Sequence, residues 1–147
     1  MPHNGHCFCG QVSYTVDAEP ILCGMCWCRD CQYVASGSAT VNVMFPDEAV
    51  HFEGEIATFV KIADSGNLSS RGFCPKCGTV IYTRTVGPDG EPAGAPIRIR
   101  SGTLDNPDLM APQAIIFAES APKWVVLDPK LPQFPKGPPA AAMQGKP

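Results

Sequence analysis

The stretch Phe73-Cys74-Pro75-Lys76-Cys77-Gly78-Thr79 decides how this chain is put together. Two cysteines around Pro-Lys, closed by glycine, form a knuckle. In such a turn both sulfurs point to one centre, backbone N–H groups can donate to them, and glycine permits the tight bend. A knuckle supplies two ligands and needs two more. They lie near the start of the chain, in Cys7-Phe8-Cys9-Gly10. Two pairs from distant parts of the sequence make a closed, tetrahedral four-cysteine site suited to structural zinc. A redox Cys-x-x-Cys expects a helix N-terminus in a βαβ setting, whereas Thr79–Thr83 reads as a strand.

Between these pairs lies a different cluster, Cys26-Trp27-Cys28-Arg29-Asp30-Cys31. It offers three thiolates and no obligatory fourth ligand, which is the pattern of a catalytic zinc with an exchangeable position. Cys23 has two readings. As a fourth ligand it closes the site into a second structural zinc. As a small apolar residue inside Ile21–Met25 it is buried and unligated. Three thiolates leave a zinc site with one net negative charge. That weakens it as a Lewis acid and as a source of hydroxide, but suits it to hold an incoming thiol as thiolate. The chemistry implied is a sulfur nucleophile with a small electrophile, or cleavage of the same carbon–sulfur bond.

The rest of the sequence agrees with a small metal protein. At 147 residues the chain is one domain. Its 16 prolines and 14 glycines argue against a helical bundle. Strands are expected at Gln11–Val16, Thr40–Phe45, Val50–Phe52, Thr58–Ile62, Thr79–Thr83, Ile97–Ser101 and Ala114–Ala118, with a short apolar run at Ile21–Met25, a segment at Leu68–Phe73 flanking the last cysteine pair, and one or two helical turns at Arg29–Ala35. The segment Asp64-Ser65-Gly66-Asn67 is a turn signal. This predicts a mainly β domain of packed antiparallel sheets over residues 1–134. The proline-rich end is expected to lie against the domain as a strap through Phe134 and to be a flexible tail over 135–147. A net charge of −3 gives no basic footprint, so nucleic acid is not an expected partner. No secretory signal and no bilayer-spanning run is visible, which with eight cysteines in close pairs indicates a cytoplasmic metal protein without a membrane partner.

Other residues carry weaker signals. His3, His6 and His51 lack paired spacing, and His6 is read as a surface residue beside a complete ligand set. Arg29 and Asp30 are either solvated loop charges or supports for the three-cysteine site. Arg71, Arg98 and Arg100 are candidates to face an acidic thiol. Arg98 and Arg100 share one side of a strand, which more commonly is its wet face. Trp124 is expected to pack over the core.

These motifs bring a resemblance into view. Gly5–Tyr14, Cys26–Cys31, Arg71–Thr79, Gly102-Thr103-Leu104-Asp105, Ala121-Pro122-Lys123-Trp124 and Leu131-Pro132-Gln133-Phe134 resemble the glutathione-dependent formaldehyde-activating enzyme family, which includes centromere protein V. The resemblance runs from about Gly5 to Phe134 and includes seven cysteines in matching order. It implies a β-tent organised around two Zn²⁺ per chain. The structural ion would be held by Cys7, Cys9, Cys74 and Cys77, the catalytic one by Cys26, Cys28 and Cys31. It implies a carbon–sulfur lyase that joins a small thiol such as glutathione to a small aldehyde such as formaldehyde; a homodimer is admitted. The competing reading is a non-catalytic zinc module with both metals structural. The chain departs from the family at Trp27, where relatives usually carry histidine. That histidine is not a ligand, so the metal set is unaffected while a neighbouring proton carrier is lost.

Overall fold

The computed structural model describes residues 2–63 and 66–137. Its elements are β1 (His3–His6), β2 (Ser13–Val16), β3 (Leu22–Cys26), α1 (Arg29–Val34), β4 (Thr40–Phe45), β5 (Val50–Glu53), β6 (Ala57–Ile62), β7 (Leu68–Phe73), β8 (Val80–Val86), β9 (Ile97–Arg100) and β10 (Ile115–Ile116). They form a three-stranded sheet in the order β1-β2-β5 and a seven-stranded sheet in the order β10-β3-β4-β9-β8-β7-β6. The chain is mainly β, as its turns and alternations require.

Strand pairing is antiparallel except between β10 and β3, which run parallel. The exception has a simple cause. A long connection separates these strands, so no hairpin fixes their direction. β1 has no counterpart among the expected strands. Its sequence, His-Asn-Gly-His, has no apolar alternation, and it is a strand because β2 supplies a partner from His3↔Val16 to His6↔Ser13.

Apolar alternation points both sheets at one core. Tyr14 and Val16 from the small sheet, with Val12 just ahead of β2, meet Val43, Phe45, Ile97 and Ile99 from the large one. Each such side chain contributes about 1.5–3 kcal/mol when fully buried. The opposite side of β4 is also covered, because Thr40 and Asn42 are buried. α1 lies across that polar side, a placement that becomes important below.

A second, smaller core gathers Trp27, Ala39 and Ile115 under Ala121, Val125, Leu127 and Leu131. The strap runs beside it: Ile115 N–H donates to Pro132 O and Phe134 N–H to Ile115 O, both at 2.9 Å. It continues past Phe134, since Phe117 N–H donates to Lys136 O. The expectation for Trp124 is corrected. Its ring is 76% exposed, because the turn closed by Val125 N–H onto Pro122 O sends Val125 inward instead. The Asp64-Ser65 turn and the tail beyond Gly137 lie outside the described residues. Among the described residues, no helix is long and apolar enough to cross a membrane.

Candidate metal centres

The first centre is built by two glycine-closed turns. In one, Gly10 N–H donates to Cys7 O at 3.0 Å; in the other, Gly78 N–H donates to Cys74 O at 2.8 Å. Gly10 and Gly78 hold φ of 83° and 78°, a region unfavourable to any residue with a Cβ. Phe8 N–H reaches across to Thr79 Oγ1 at 3.1 Å and ties one turn to the other. The sulfurs of Cys7, Cys9, Cys74 and Cys77 all lie within 4.8 Å of one another. Cys7–Cys9 is 3.6 Å and Cys9–Cys74 is 3.8 Å.

Those spacings fit zinc. A Zn–S length of about 2.3 Å gives tetrahedral S···S edges of about 3.8 Å. The donor set fits too. Val12 N–H donates to Cys7 Sγ at 3.3 Å, and Lys76 and Cys77 N–H donate to Cys74 Sγ at 3.4 and 3.5 Å. The Thr79 hydroxyl and amide hold the Cys77 thiol down at about 5. The motif is therefore prepared to carry thiolates. His6 stands aside, its Nδ1 on Cys7 O and its Nε2 3.6 Å from Asp105.

The second centre sits where β3 ends and α1 begins. Cys26 closes β3 opposite Thr40. Cys28 caps α1, its sulfur accepting from Cys31 N–H at 3.4 Å. Cys31 follows in the first helical turn. The three sulfurs converge within 4.8 Å, with no fourth His, Cys, Asp or Glu ligand in the group among the described residues. Cys23 lies elsewhere, fully buried in the main core opposite Val43. Its reading as a packed apolar residue is the one the fold supports.

Around this centre the chain provides donors rather than acids. Thr40 Oγ1 donates to Cys31 Sγ at 3.0 Å, Asn42 Nδ2 donates to Thr40 Oγ1 at 2.9 Å, and Arg100 donates to Asn42 Oδ1. A guanidinium thus reaches a sulfur through two neutral side chains. The thiols titrate together. Hydrogen bonds to Cys28 and Cys31 raise Cys26, and bonds from Cys26 and Cys28, followed by Thr40 and Arg100, favour the thiolate at Cys31.

Cross-strand register explains why the arginines gather here. Arg71 pairs with Thr83, and Thr83 with Arg98, so they form one row across β7, β8 and β9. Arg100 lies opposite Asn42 on the same side. This side is not the wet face expected for Arg98 and Arg100. Burial lowers the pKa of both, Arg100 to about 10, with the Cys31 charge opposing the drop. Asp30 pairs with Lys61 at 2.5 Å and Arg71 at 3.7 Å, docking α1 onto β6 and β7.

The sequence reading missed four supports: Gln32, Thr40, Asn42 and Thr83. Gln32 is buried, and its amide donates to Trp27 O at 2.7 Å and Ser120 O at 3.0 Å, clamping the cysteine loop to the C-terminal segment. Thr40 and Asn42 were visible as the polar side of an alternating strand. Only the cover of α1 makes that side a site. Trp27 buries its ring against Ala39 and Ile115 in the small core.

A family model described as glutathione-dependent formaldehyde-activating enzyme matches residues 2–120. No curated protein matches the chain.

Proposed function

The chain belongs to the glutathione-dependent formaldehyde-activating enzyme family, and from that premise we propose that it makes or breaks a thiol–aldehyde adduct at Cys26, Cys28 and Cys31. In this reading Cys7, Cys9, Cys74 and Cys77 hold a structural Zn²⁺, and the three-cysteine group holds a catalytic one. The observation that carries it is the open ligand set: three converging sulfurs, with Cys23 buried in a different core.

A zinc ion held there supplies affinity for one more thiolate, and so lowers the pKa of an incoming thiol. The chain's own residues do the rest. The Thr40 hydroxyl, oriented by Asn42 and Arg100, donates to Cys31 Sγ and fixes one lone pair of that ligand. Gln32 holds the Trp27 carbonyl, and with it the loop between Cys26 and Cys28. The net reaction adds a thiol sulfur to an aldehyde carbon while the carbonyl oxygen gains the thiol's proton. Its reverse is a carbon–sulfur lyase step, and neither direction needs an oxidant or reductant. Glutathione and formaldehyde are the substrates the family description names.

Cobalt substitution tests the reading. Adding a small thiol to the Co²⁺ protein should shift thiolate-to-metal absorption and release about one proton per thiol at neutral pH. An unchanged spectrum with every thiol tried would leave a two-metal structural module in place of an enzyme.

A further inference from the structure

Four cations stand beside the three-cysteine group: Arg71, Arg98, Arg100 and Lys61. Their partners differ. Lys61 and Arg71 share Asp30. Arg100 is held by two neutral acceptors, Asn42 Oδ1 and Thr83 Oγ1, the latter at 2.7 Å. The Arg98 guanidinium has no hydrogen-bond or ion-pair partner among the described residues. Nor is it sealed. The only fully buried unpartnered side-chain polar atom among the described residues is Trp27 Nε1, so the Arg98 fork remains reachable.

We propose that Arg98 is the specificity-determining residue for a carboxylate on the thiol substrate, so that this site selects anionic thiols over neutral ones. The proposal rests on the three-cysteine group being the reacting centre. A half-buried guanidinium without a counter-ion is costly, and a bidentate carboxylate is the ligand whose geometry matches its fork. Charge counting leads to the same answer. The four cations face three thiolates and the Asp30 carboxylate, which balances. A divalent ion on the sulfurs then leaves two positive charges for a ligand to neutralise. Counter-charge for the thiolates is an insufficient role for Arg98, because Arg100 already serves Cys31 through Asn42 and Thr40. The placement also follows from the sheet. Arg98 shares a row with Arg71, and Arg71 is fixed by Asp30 of α1, the helix that carries Cys31.

The test uses the full, metal-loaded chain and three probes: S-methylglutathione, which has carboxylates and no free thiol; glutathione; and 2-mercaptoethanol, a neutral thiol. Calorimetry reads S-methylglutathione, and the cobalt spectrum reads the two thiols. Arg98→Met should weaken S-methylglutathione and glutathione by about tenfold or more, the effect of losing a charged hydrogen-bonded pair. The 2-mercaptoethanol response and the metal content should stay as in the parent chain. Arg98→Gln, which keeps a polar tip, should show the same loss and carries the test if the Met variant does not fold. Unchanged affinity for S-methylglutathione in either variant overturns the proposal. So does an equal loss for 2-mercaptoethanol, or failure of the parent chain to bind S-methylglutathione at millimolar concentration. If S-methylglutathione binds through Arg98 while neither thiol moves the cobalt spectrum, the anion site stands and the reaction reading falls.

Discussion

The two cysteine groups use the same ligand atom and differ in everything around it. Cys7, Cys9, Cys74 and Cys77 come from two segments separated by 65 residues between Cys9 and Cys74, and they face backbone N–H groups and the Thr79 hydroxyl. Cys26, Cys28 and Cys31 come from one short loop and face a sheet surface bearing four cations. A metal in the first group closes a long loop between distant segments. In the second it constrains little chain that β3 and α1 do not already fix. In the proposed reading, sequence separation decides which site would hold the fold, and the missing fourth sulfur decides which one would exchange a ligand.

The largest expected effect follows from that contrast. Cys74→Ser removes a ligand from the site that fastens β7 to the N-terminal hairpin. Structural zinc in small domains contributes on the order of 10 kcal/mol to folding, so this variant should lose its cooperative thermal transition. Cys28→Ser should keep a transition and the β-rich circular dichroism while losing one of two metals. Equal collapse of both variants would break the comparison.

Thr40→Val sharpens it. The change deletes the donor to Cys31 Sγ and leaves Asn42 Nδ2 without its acceptor. Outer partners of metal ligands are worth about 10–100-fold in affinity. Chelator competition should show that loss at the three-cysteine group alone. A loss shared by both groups would mean that Thr40 supports the fold and not the site.

How far the sequence could be read depends on the range of each interaction. Both cysteine groups were legible because ligand spacing is local, and the pairing of Cys7-x-Cys9 with the distant knuckle followed from ligand count. β2 and β4 were legible from alternation and turn residues. β1 was not, because His3–His6 is a strand only through its partner. The parallel β3–β10 pair and the Gln32 clamp were hidden for the same reason: their partners lie about 90 residues away along the chain. Arg98 and Arg100 were seen as a pair but placed in water. What holds Arg100 in place comes from elsewhere in the sequence, Asn42 of β4 and Thr83 of β8.

The smallest expected effect concerns Cys23, the cysteine outside both groups. Cys23→Ala should cost about 1 kcal/mol as a small buried deletion and leave metal content at its parent value. Burial pushes this thiol up to about 11 from its ordinary 9.0. The folded chain therefore keeps a proton that the unfolded chain releases. Its contribution is complete below pH ~9 and is lost as pH rises through about 11. Denaturant titrations across that window should fall less steeply for Cys23→Ala than for the parent chain. A lost metal in this variant would return Cys23 to the ligand set.

Zinc-edge X-ray absorption tests the central claim most directly, because it counts sulfurs per metal. One closed and one open site give an average of about 3.5 sulfurs per zinc with a light-atom component. Adding a thiol should raise the average to about 4 and remove the light atom. A count of about 4 before any thiol is added, or one that thiol does not change, would contradict the account of one site that holds and one that reacts.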